Sequence, residues 1–203
     1  MKGIQSQKSR WSRLHKIWTG GQTAATVLLG RRFLEDFPDF GPAWTIVGDA
    51  LLSLARYDEA EQAFTRAIDE SDGGTRRIAF VNMGHLFEKK RDYGKAAQWY
   101  KRAIQCAPEH ANAYIYLGGL LAIQGHIVEA EQTHRNGILC SKGYVCEAHF
   151  NLGLVLRAQY RYEEAAKYFR KAMHLEPDYE EAKLALKDVK LCLKLSPKSR
   201  LTV

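Results

Sequence analysis

The first 34 residues contain no aspartate or glutamate, against seven lysines and arginines. That imbalance accounts for the whole formal net charge of +7, because the rest of the chain is balanced. Elsewhere the sequence is poor in the features that carry enzyme chemistry. Its four cysteines, Cys106, Cys140, Cys146 and Cys192, form no C-x-x-C pair, and the stretch through Ile17 lacks the apolar core of a secretory signal, so no disulfide framework is expected. Cys140, Cys146 and His149 can be assembled as zinc ligands only on paper, because Cys146 and His149 fall at the start of an amphipathic helix where packing explains them. The histidines are scattered without H-E-x-x-H, and neither a glycine-rich phosphate loop nor a nucleophile elbow occurs. No run approaches the roughly 18 apolar residues that a membrane-crossing helix needs. The expectation is a non-enzymatic, cytoplasmic protein with no metal and no cofactor. Mitochondrial targeting is the alternative, since basic, acid-poor N-termini suit a presequence.

What is present is periodic. Trp44, Val47, Gly48 and Leu51 share one helical face by the i, i+3, i+4, i+7 rule, and Ala60, Phe64 and Ala67 share another after a short turn. The layout returns as Phe80, Met83, Gly84, Phe87 with Ala96, Tyr100, Ala103 and Pro108. It returns again as Tyr114, Leu117, Gly118, Leu121 with Ala130, His134, Gly137, and finally as His149, Leu152, Gly153, Leu156 with Ala165, Phe169, Ala172 and Pro177. The glycines are 36, 34 and 35 residues apart, and the alanines Ala60, Ala96, Ala130 and Ala165 keep the same intervals. A helix pair of this size cannot bury its apolar face alone, so neighbouring pairs must stack into a continuous core. The recurring glycine predicts a place where two helix backbones approach too closely for a side chain.

The order W-x2-L-G-x2-Y, A-x3-F, P at a period of about 34 is the tetratricopeptide signature, and the chain resembles that family over residues 41–179. The resemblance implies an all-α fold, a right-handed superhelical solenoid of antiparallel helix pairs. The divisions are a degenerate N-terminal helix pair or basic cap at 1–40, repeats at 41–74, 77–110, 111–144 and 146–179, a capping helix at 180–195 and a frayed tail at 196–203, all in one continuous domain. In the first of these, Ala25, Leu29 and Phe33 keep an i, i+4 ladder. The segment Ser71 to Thr75 reads as a loop with Thr75 as N-cap. Repeat three departs most from the pattern, with His134 in an aromatic position and Gly137 in an alanine position.

Charge is polarised along the chain. Residues 183–203 carry a net +5 and residues 35–182 a net −5. A second class of function, association of the basic termini with nucleic acid or anionic membrane, follows from that distribution. A third is recruitment of substrate to an enzyme formed by another chain.

The family resemblance places a concave groove on the first helix of each repeat, at positions six, three and two before the signature glycine and one after it. Carried over, these are Pro42, Thr45, Ile46 and Asp49; Ile78, Val81, Asn82 and His85; Asn112, Ile115, Tyr116 and Gly119; Glu147, Phe150, Asn151 and Leu154. The family's carboxylate clamp of lysine, arginine and asparagine is not matched, since Thr45, Asp49, Asn112 and Tyr116 stand at four of its five places. Asn82 and Asn151 instead resemble half of the asparagine ladder in the tetratricopeptide region of O-GlcNAc transferase, where the amides bond an extended peptide's backbone. The resemblance thus implies a scaffold or adaptor binding a protein or peptide partner, not a small-molecule substrate, through Val81, Asn82, His85, Asn112, Ile115, Tyr116, Phe150 and Asn151. Oligomeric state is left open.

Overall fold

The computed structural model describes residues 2–195, with side chains from residue 6 onward; the tail expected at 196–203 lies outside the described residues. Eleven helices and no strand occur among them. The all-α helix-pair architecture expected from the repeat is what the structure shows. The chain divides into two compact units, Met1–Ala107 and Pro108–Val203, meeting at the first of the landmark prolines.

The first unit holds α1 (Lys2–Thr19), α2 (Thr23–Asp36), α3 (Gly41–Ser53), α4 (Tyr57–Asp69), α5 (Gly73–Lys89) and α6 (Tyr93–Cys106). Its N-terminal pair is fastened by aromatics. Trp11 stands edge-on to Phe40 at 4.9 Å between centroids, and Arg10 lies over the Phe37 ring at 5.5 Å while pairing with Asp36 at 2.5 Å. The buried face of α2 is Thr26, Val27, Gly30, Phe33 and Leu34. The anticipated Ala25–Leu29–Phe33 ladder is therefore displaced, because Gly30 rather than Leu29 meets Val47 of α3. The Thr75 cap is also corrected: the N-cap is Asp72, three residues earlier, and α5 begins at Gly73.

The second unit holds α7 (Ala111–Ile123), α8 (Ile127–Gly137), α9 (Val145–Ala158), α10 (Tyr162–Leu175) and α11 (Glu180–Leu195). Where repeat three has no proline, the Ser141–Tyr144 loop is pinned by backbone bonds instead. Lys142 donates to Glu109 at 3.1 Å and Ala111 to Lys142 at 3.0 Å.

The glycines do not mark backbone contacts. Each receives a ring from its partner helix: Phe64 on Gly48, Tyr100 on Gly84, His134 on Gly118 and Phe169 on Gly153. A Cβ would stand 2.5 Å from the Phe64 ring and 2.6 Å from that of Phe169, so any side chain would evict the ring. All four rings are essentially fully buried.

Candidate binding surface

Within each unit the first helices of successive repeats pack on one another as well as on their own partners, α3 with α5 and α7 with α9. That packing decides which of the expected groove positions reach solvent. Thr45 (8% exposed), Val81 (7%) and Ile115 (4%) are buried, as is Ile46, so the expectation that these four line an open groove is corrected. The cause is plain for Ile115, which clusters with Ala111 and with Ala148 of α9. Thr45 turns its hydroxyl inward, donating to the Gly41 carbonyl at 3.2 Å. Helices such as α5 and α7 bury residues on more than one face, and an apolar residue beside the main stripe goes inside with them.

The polar positions fall into two groups. Three are already used by the fold. Asp49 accepts from the indole Nε1 of Trp18 at 2.7 Å, so α1 covers the repeat-one end of this surface. Asn112 accepts from the backbone N–H of Tyr144 at 3.2 Å and holds the loop into α9. His85 lies 2.8 Å from the Tyr100 hydroxyl and 3.3 Å from Glu88, and the same hydroxyl donates to Glu88 at 2.5 Å. Burial pushes the Glu88 carboxyl up, but the bonds from His85 and Tyr100 outweigh it and hold it below the usual carboxylate range.

Asn82 and Asn151 form the other group. Both are half-buried, and neither side-chain amide has a partner among the described residues. Around Asn151 the surface is aromatic and acidic. Phe150 packs on Tyr179 at 5.0 Å and on Phe169 at 5.7 Å. Burial, reinforced by Glu176, raises the Glu147 carboxyl, and burial with Glu147 nearby pushes the Tyr179 hydroxyl up to about 12. Tyr116 is half-buried on the adjoining α7, and a Cβ at Gly119, three residues on, would meet open space. Tyr179 escaped the sequence reading because it precedes the last helix rather than lying on a first helix; its aromatic character was the available signal.

Models of the tetratricopeptide repeat match residues 22–75, 79–110, 99–132 and 146–179, together more than half of the chain, which belongs to the tetratricopeptide-repeat family. Among curated relatives, human DnaJ homolog subfamily C member 7 is 27% identical over 190 residues, covering 84% of this chain and 38% of that protein. Protein O-mannosyl-transferase Tmtc3 of Drosophila melanogaster is 31% identical over 127 residues, covering 54% of this chain and 13% of that protein. The chain thus spans well under half the length of either relative. Among solved structures, YrrB, described as a TPR protein with an unusual peptide-binding site, aligns at a TM-score of 0.60 and 20% identity over 92% of this chain and 96% of its own. The APC/C hetero-tetramer Cut9–Hcn1 aligns at 0.72 and 15% identity over 93% of this chain and 37% of that one. These likenesses show the fold. Among the described residues no helix is long and apolar enough to cross a membrane.

Proposed function

We propose that this repeat scaffold for protein–protein interaction binds extended peptide segments on the first helices within each unit. The observation that carries the reading is the pair of unused amides, Asn82 and Asn151, at equivalent places two before the signature glycine. An amide both donates and accepts, so each can pair with a peptide unit of the ligand backbone, for about 1 kcal/mol net apiece. On the α7/α9 face Tyr116 and Phe150 supply apolar contact. Glu147 sets the sign of charge there, favouring a neutral or basic side chain in the ligand and disfavouring a terminal carboxylate. YrrB, of the same fold, is described as having a peptide-binding site, which is consistent with this use of the scaffold.

The test is selection from a displayed random-peptide library, followed by titration of the enriched peptide against single variants. Asn151→Ala should weaken peptides held on the second unit, and Asn82→Ala those held on the first, by about 5-fold, the equivalent of one lost hydrogen bond, with helicity unchanged. Equal affinity of both variants and the parent for every enriched peptide would remove the groove reading.

A further inference from the structure

The last helix carries a surface that the groove reading does not use. Offset by 34 residues, α11 reads as another first helix: Ala182, Leu186 and Val189 are buried where Ala148, Leu152 and Val155 are buried in α9. In α9 the edge bearing Gly153 and Leu156 is covered by α10, whose Phe169 ring rests on that glycine. On α11 the corresponding residues are Lys187 and Lys190, both exposed and without an ion-pair partner among the described residues. They line a groove of about 660 Å³ together with Met173 of α10 and with Leu184 and Leu191. Leu184 is 66% exposed and Leu191 55%. The carboxylate at this edge, Asp188, is engaged by Arg157 at 3.2 Å.

We infer that this α10/α11 groove docks an acidic amphipathic helix of a partner protein, taking the place that a second helix takes in the other pairs. Charge selects the occupant. Residues 196–203 add Lys198 and Arg200 and no acid, so they do not complement the lysines. Residues 1–34 of a second copy, which hold no acid, would not complement the lysines either. The apolar floor separates a peptide from a polyanion, since nucleic acid backbone and lipid headgroups offer nothing to bury against Met173, Leu184 and Leu191. A helix with leucines at i, i+3 or i+4, and i+7, flanked by glutamates, satisfies both the floor and the rim.

The experiment uses the full chain and a fluorescein-labelled peptide of about 16 residues, the length of α11, with leucines at that spacing and glutamates elsewhere. Saturable binding is expected, weakened about 10-fold or more by Lys187→Glu with Lys190→Glu, and by Leu184→Asn with Leu191→Asn. All four positions are exposed, so circular dichroism should show these variants folded. The Asn82→Ala, Asn151→Ala variant should bind the probe as the parent does, which separates this surface from the groove of the proposed function. Any of three results would overturn the inference. One is unchanged affinity in both groove variants. Another is equal competition by polyglutamate, oligothymidylate or phosphatidylserine vesicles, which marks a nonspecific basic edge. The last is a concentration-dependent dimer, abolished by the leucine pair, which assigns the groove to a second copy.

Discussion

Tyr100 and His134 occupy the same place in two different units, each laying its ring on the glycine of the paired helix, and they differ in what surrounds the polar end. Tyr100 is fully buried, yet its hydroxyl reaches His85 and Glu88. The residues at the places of His85 and Glu88 in repeat three are Gly119 and Ala122. His134 is only 1% exposed, its Nδ1 has no partner among the described residues, and burial pushes its imidazole down to about 4. The repeat demands a flat ring over glycine. What becomes of its polar atoms is left to neighbours one and four residues beyond that glycine, and a ring with no such neighbours becomes a liability.

The largest expected effect is on acid stability. Histidine in an unfolded chain titrates near 6.5, whereas His134 resists protonation until about 4. Between those values the unfolded state binds more protons. Folding stability in the second unit therefore falls as pH drops from 6.5 to 4, by roughly 3 kcal/mol in full. Glu88 in the first unit has a different window. Its carboxyl is held below the usual range, so its contribution is intact above about 4.5 and is lost only as pH falls through the lowered value. Amide exchange, corrected for intrinsic rates, should show α7 and α8 losing protection at pH 5 while α5 and α6 keep theirs. Simultaneous loss in both would break the contrast.

Adding a methyl group under each ring sharpens it. Gly84→Ala drives a Cβ into a ring that His85 and Glu88 hold in place, and should cost about 2 kcal/mol or more by urea unfolding. Gly118→Ala meets the His134 ring at 2.5 Å, but no bond to Nδ1 restrains that ring, so the cost should be smaller. A larger loss for Gly118→Ala would show that packing, not the polar anchor, fixes the ring. His134→Phe restores the residue type found in repeats one and four and removes the orphaned nitrogen. It should stabilise the second unit by about 1 kcal/mol at pH 7 and remove the His134 share of the acid sensitivity, leaving that of His149, whose imidazole burial also lowers.

Much of this was legible in the residues. The helix pairs follow from the spacing of apolar residues, and Tyr57, Tyr93, Ile127 and Tyr162, which keep the same 36-, 34- and 35-residue intervals, are the first residues of α4, α6, α8 and α10. The spacing of Gly48, Gly84, Gly118 and Gly153 was visible, but not that a side chain rather than a backbone lies over them, since both demand the same absence of Cβ. Of the candidate surface, Asn82, Phe150 and Asn151 keep part of their surface in solvent, whereas Val81 and Ile115 do not. A helix wheel assigns one buried face per helix, and helices flanked by several neighbours bury more than one. The partners of Asp49 and Asn112 come from residues 31 and 32 positions away, beyond the reach of any local pattern.

The turns between paired helices give the smallest effect. Gly21, Ala55, Arg91, Gly125 and Tyr160 all lie in the left-handed region, with φ between 57° and 82°. Each turn is closed by the same backbone bond from the following residue to the carbonyl five before it, such as Asp92 to Phe87 at 2.8 Å and His126 to Leu121 at 2.9 Å. Only two of the five are glycine, so nothing in Ala55, Arg91 or Tyr160 announces the conformation. Left-handed backbone costs a residue with a Cβ roughly 1–2 kcal/mol, partly offset by the greater freedom that glycine brings to the unfolded chain. Ala55→Gly should accordingly gain about 0.5 kcal/mol and Gly125→Ala lose a similar amount. Both sites lie away from the rings, so Tm shifts of opposite sign would show that the turns of both units obey one rule even where their cores do not. A loss for Ala55→Gly as large as that for Gly125→Ala would mean that the first unit's turn carries no left-handed strain, and that the units differ in backbone as well as in core.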